Sequence, residues 1–176
     1  MGEGSEMSEV HLLKMPLALR EALNEHAQEL LRELALVQIG AGHDGAPALP
    51  QRLLQVAEEL ESSYAPFQQQ PVAALDAAAR AGQDFADVTY TLPAQAAAFA
   101  QRVLDVLEEA DDFCREQQLL TLPASAQLVA YRRWLFGQFI HQLSGAPPQP
   151  WTDTPAGMHK HPEQQVSRQA AEALEL

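Results

Sequence analysis

Apolar residues recur along this chain with two different periods, and the places where the period changes mark the elements. From Pro16 to about Ile39 the positions Leu19, Leu23, Ala27, Leu30, Leu34 and Val37 step by four and three, which predicts a long helix with one buried stripe. Pro50 to about Tyr64 keeps helical spacing, with Leu53, Leu54, Val56, Ala57, Leu60 and Tyr64 inward. Val72 to Ala81 predicts a short helix inside a Gln- and Ala-rich bridge broken by Pro66 and Pro71. Phe85 to Leu92 then reverses the pattern. Val88, Tyr90 and Leu92 alternate with Asp87, Thr89 and Thr91, a period of two rich in β-branched residues. Two amphipathic helices follow between Pro93 and Leu143, joined by Leu119-Leu120-Thr121-Leu122-Pro123.

The order of elements repeats. Val88 to Pro93 before a long helix echoes His11 to Pro16 before the first one, and each long helix leads through a proline, Pro50 or Pro123, into a shorter helix. An internal repeat over residues 10–64 and 85–144 would place two antiparallel hairpins about a pseudo-twofold axis, with the extended segments free to pair as a ribbon. The expectation is an all-α fold: one domain over residues 10–151, an antiparallel bundle of two helix hairpins, with room for a small two-stranded β ribbon. Residues 1–9 read as a disordered lead and residues 152–176, polar after Pro147-Pro148-Gln149-Pro150-Trp151, as a disordered tail, with Trp151 folding back on the bundle.

Helical wheels give the last hairpin a specific feature. On its first helix Phe99, Val103, Val106, Leu107, Ala110, Phe113 and Cys114 share one arc, and Asp111 falls inside that arc while Glu108 and Asp112 point away. On its second helix Leu128, Val129, Leu135, Phe136, Phe139, Ile140 and Leu143 form the apolar arc, and Arg132 projects from its middle. Asp111 lies six residues before the turn and Arg132 seven after the next helix begins, so both sit roughly 10 Å from it at 1.5 Å per residue. A lone buried charge costs several kcal/mol, so a structural ion pair between Asp111 and Arg132 is expected, with Glu61 as the rival partner.

The second helix is apolar on two sides. Four of the chain's eleven aromatic residues, Tyr131, Trp134, Phe136 and Phe139, fall within nine positions. Trp134 lies with Ala130, Gly137 and His141 on a strip opposite the core arc, beside Arg133. That strip is covered either from within, by the segment reaching Trp151, or by a partner. Ala130, Arg133, Trp134, Gly137, His141 and Trp151 are therefore the candidate partner surface.

Charge narrows the partners. Against 11 basic residues stand 24 acids, a net of -13, which repels nucleic acid and anionic membrane surfaces. The single cysteine, Cys114, permits no internal disulfide and lies on the core arc, where a packed thiol is expected. With no signal-like or membrane-length apolar run, the expected location is the cytoplasm. His26, at the edge of its stripe, has no Glu three residues before it to suggest a metal helix, and His159 with His161 would make a poor site. Neither metal nor cofactor is expected. The three glycines of Gly40 to Gly45 lack the Gly-Lys-Ser/Thr ending of a phosphate loop, and no metalloprotease helix, zinc Cys pairs, nucleophile elbow or dinucleotide fingerprint occurs. Enzymatic activity stays undecided, because no reaction can be named.

Glu109-Ala-Asp-Asp-Phe-Cys-Arg115, Leu119-Leu-Thr-Leu122 and Arg132-Arg-Trp-Leu-Phe-Gly-Gln-Phe139, with Leu30-Leu-Arg-Glu-Leu-Ala-Leu36 earlier, resemble a family of small uncharacterised bacterial proteins. Members of that family occur near phosphatase and kinase regulators of stress sigma factors. The resemblance covers residues 10–151 and implies a regulatory protein partner, with no catalytic residues to carry over. The expected function is a non-enzymatic cytoplasmic regulator or adaptor that binds another protein through its last hairpin, a signalling or sigma-factor regulator by the resemblance, with a homodimer left open. The alternative is a small-molecule sensor with a cavity between the hairpins, anchored by Arg132 and Asp111.

Overall fold

Alternation of buried and exposed side chains decides the first element. In the computed structural model, which describes residues 7–41, 55, 58 and 71–153, β1 (Met7–Pro16) buries Val10, Leu12, Met15 and Pro16 and exposes Met7, Glu9 and Lys14. β2 (Phe85–Pro93) buries Val88, Tyr90 and Leu92 and exposes Phe85, Asp87, Thr89 and Thr91. The two strands pair antiparallel, with Val10 facing Tyr90 and Leu12 facing Val88. Beyond Leu12 the first strand carries one extra residue, so that Met15 faces Ala86. Lys14, at this bulge, has a φ of 54°, and its N–H donates to Asp87 Oδ1 at 2.6 Å.

Each strand runs directly into a long helix. α1 (Leu17–Ala41) follows β1 and buries Leu23, Ala27, Leu30 and Leu34, four of the positions that the spacing puts inward. α2 (Val72–Arg80) lays Leu75 and Ala78 against β2 and turns into it through Gly82 at a φ of 68°. α3 (Ala96–Arg115) follows β2 and forms a hairpin with α4 (Ala126–Leu143). The N-cap of α4 is Ser125, whose side chain accepts the Leu128 N–H at 3.2 Å.

These observations correct the all-α expectation. The fold is mixed α/β, a two-stranded antiparallel sheet with four helices among the described residues, and these residues do not show a bundle of two hairpins. The expected ribbon is present, but as a face of the core: Val10, Leu12, Met15, Val88, Tyr90 and Leu92 are each 5% exposed or less. The alternation in β1 is interrupted at Leu12-Leu13 by the bulge, which hides a strand of ten residues behind a short apolar run. The second helix, over residues 50–64, lies outside the described residues apart from Gln55 and Glu58, and with it the second half of the first repeat. Residues 1–6 and 154–176 also lie outside them; β1 begins at Met7, within the expected lead. Phe99, which the wheel puts on the core arc of α3, is 47% exposed, while Ala96 and Ala100 on either side of it are buried.

A two-stranded sheet has two open edges, and β1 closes one without a third strand. The Gln142 side chain donates to His11 O at 2.8 Å and accepts the His11 N–H at 2.9 Å, standing in for a neighbouring backbone. Two residues on, Leu13 O accepts the Trp151 N–H at 3.0 Å. The segment after α4 therefore straps across β1 and brings Trp151 home. No described helix is long and apolar enough to cross a membrane.

Candidate functional site

The buried charges come first, because they fix the helix that carries the site. Asp111 Oδ2 lies 2.6 Å from Arg132 Nη1, and both side chains are at most 1% exposed. The approach is close but poorly aligned, an ion pair rather than a well-directed hydrogen bond. The other carboxylate oxygen, Oδ1, accepts the Ala124 N–H at 2.9 Å and stands 3.3 Å from His26 Nε2. One carboxylate thus ties α1, α3, the α3–α4 loop and α4 together. Burial pushes the Asp111 pKa up, but the bonds from His26 and Ala124 and the charge of Arg132 outweigh it and hold it below the usual range.

Sequence reasoning finds the Asp111–Arg132 pair and misses its companions. The stripe puts His26 at its edge, where a packed side chain is expected; it is packed, at 8% exposure, but against a carboxylate 85 positions away that the spacing does not reveal. Glu33 was missed altogether: its carboxylate accepts the Leu120 N–H, the Thr121 N–H at 2.7 Å and the Thr121 hydroxyl at 2.6 Å. Burial raises the Glu33 pKa, and these bonds more than reverse it, leaving it lowered. The only local signal was a carboxylate one position from the buried Leu34. The rival partner, Glu61, lies outside the described residues.

This cluster is a poor reaction centre. Cys114 nearby is buried, and burial together with the charges of Asp111 and Glu33 pushes its thiol up to about 11, so the reactive thiolate is disfavoured. No group of three metal-ligating side chains occurs among the described residues, and His159 and His161 lie outside them. Neither described cavity is lined by Asp111 or Arg132, so the sensor expectation loses its two anchors.

The opposite face of α4 is open. A groove of about 500 Å³ runs along it, and Ala130, Arg133, Trp134, Gly137, His141 and Trp151 all line it. The far wall is the strap. Its Gln149 N–H donates to Gln138 Oε1 at 2.9 Å and its Gln149 carbonyl accepts from Trp134 Nε1 at 3.0 Å, so α4 holds both backbone groups of one residue. Trp151 then packs edge-on against Tyr131 and Trp134, with ring centres 5.7 Å and 5.6 Å away. Internal cover and open surface coexist here: Trp151 is buried, Trp134 half-buried, and Arg133 and His141 exposed. Arg133 is tied to Glu108 at 2.7 Å. Gly137 leaves the floor low, since a Cβ added there would meet only His141 Cε1, at 4.0 Å.

No protein-family model matches the chain, and no curated protein and no solved structure matches it either.

Proposed function

We propose that this protein is a non-enzymatic cytoplasmic regulator or adaptor, and that it binds an apolar, acid-flanked helical segment of another protein in the groove on the outer face of α4. The observation that carries the reading is chemical. In a chain with 24 acids, no acidic side chain lines this groove, which presents two tryptophans, small residues, Arg133 and His141. Aromatic anchors with small neighbours suit the insertion of one or two apolar side chains, and the exposed His141 suits a carboxylate beside them, Arg133 being held by Glu108. A helix in the groove follows the recurring helix-in-groove mode of recognition. The resemblance of the sequence to proteins found near sigma-factor regulators favours a signalling protein as the partner.

The test places a photo-crosslinking amino acid at His141, on the groove rim, or at Asp105, exposed on α3, and irradiates each in lysate of the source cell. The expected result is one dominant foreign protein captured from His141, absent from Asp105 and lost when Gly137→Leu fills the groove. The same captures from both positions, or a capture indifferent to Gly137→Leu, would remove the reading. A second copy of this chain as the captured species would replace the adaptor with a homodimer.

A further inference from the structure

A second cavity, of about 180 Å³, lies on the other side of α4, between it, α1 and the sheet. Its chemistry is lopsided. Arg20, Asn24 and Gln28 stand at intervals of four along one face of α1 and supply a guanidinium and two amides. Tyr90 and Tyr131 bring two phenol groups, and Leu23, Met15, Leu135, Phe136 and Phe139 complete the wall with carbon. No acidic side chain lines it, although the chain carries 24 of them.

Arg20 has no carboxylate partner among the described residues. Its positive charge reaches Tyr90, where it opposes the rise in pKa that burial imposes on the phenol. With no carboxylate on it among the described residues, the Arg20 guanidinium at the mouth of this hollow is placed to take an anion. Leu135, half-buried, and the edge of Tyr90 supply the carbon a ligand can reach, while Phe136 and Phe139 stand packed behind them at 1% exposure. A volume of about 150 Å³ has room for benzene, so this cavity has room for a single ring.

We infer that this cavity is a binding site for a small carboxylate with a compact apolar body, of about the size of benzoate. Arg20 takes the carboxylate through two parallel N–H donors, Asn24 and Gln28 flank it, and the body lies against Leu135 and the edge of Tyr90. The inference is independent of the groove on the outer face, which shares only α4 with it.

The test uses the full chain and benzoate, followed by the aromatic proton resonances of tyrosine and phenylalanine in a titration. Wild type should saturate with a Kd of about 1 mM or tighter. Arg20→Gln, which removes no pair among the described residues, should weaken binding by about tenfold or more, as expected for losing a charge-assisted bond. Gln28→Trp, at an exposed position on the mouth, should block binding while leaving the far-ultraviolet circular dichroism unchanged. Butyrate binding in place of benzoate, with the same dependence on Arg20, would keep the carboxylate site and make its body aliphatic. Absence of saturation with both probes, or equal affinity in Arg20→Gln, would overturn the inference.

Discussion

The two faces of α4 carry similar side chains and use them in opposite ways. On the inner face Arg132 is 1% exposed and meets a carboxylate that three elements share, while Phe136 and Phe139 pack at 1% exposure. On the outer face, one position along, Arg133 is exposed, Trp134 is half-buried, and a groove remains. The difference lies in what stands opposite. Inside, α1, α3 and the sheet supply both carbon and counter-charge. Outside there is only the short strap that follows α4, held by Gln138 and Trp134, and it covers one wall. A helix with two apolar faces thus keeps one for stability and leaves the other available.

The largest predicted effect breaks the inner face. Arg132→Met should lower the unfolding free energy by about 3 kcal/mol or more, because Asp111 is left as a buried charge without its cation, and adding Asp111→Asn should recover part of the loss. Urea denaturation of the two single variants and the double variant measures both numbers. An unchanged midpoint in Arg132→Met would show that the pair contributes nothing. Trp134→Ala, on the outer face, should cost less, roughly 2 kcal/mol from one aromatic contact set and one hydrogen bond. Its signature is local: amide exchange at Trp151, bonded to Leu13 O, should speed up far more than exchange in α3.

Acid sharpens the comparison without mutation. Asp111 and Glu33 both have lowered folded pKa values, so their contributions are complete above the unfolded values, about 3.9 and 4.3, and fade as pH falls through the folded ones. Stability measured by urea unfolding should therefore decline from about pH 4 downward, and Asp111→Asn with Arg132→Met should flatten that decline. A protein equally stable at pH 2.5 and pH 6 would contradict the lowered carboxylates. The smallest effect has the opposite sign. Gly137→Ala should stabilise by about 0.5–1 kcal/mol, since alanine is the better helix former and its Cβ meets only His141 Cε1 at 4.0 Å.

The level of Asp111 and Arg132 was readable because both lie in one hairpin, where a rise per residue and a turn position suffice to align them. The six groove residues were readable for the same reason: five lie on one helix and share its periodicity. His26 and Glu33 were not, since each meets its partner across more than eighty residues and no spacing rule connects them. Nor was the weight of the sheet. Period-two alternation over a few residues competes poorly with helical patterns of 18 to 25 residues, and the bulge at Lys14 disturbs even that.

What the chain determined by itself is therefore local: where helices run, which charge intrudes on which apolar arc, and that the last helix has two apolar sides. Only the tertiary structure decided that two strands form a wall of the core, that His26 joins the buried pair, and that the strap closes half of the outer face and leaves a groove. The reason is physical. Periodicity follows from backbone geometry within one element, whereas burial and pairing between elements depend on which surfaces the folded chain brings to face each other.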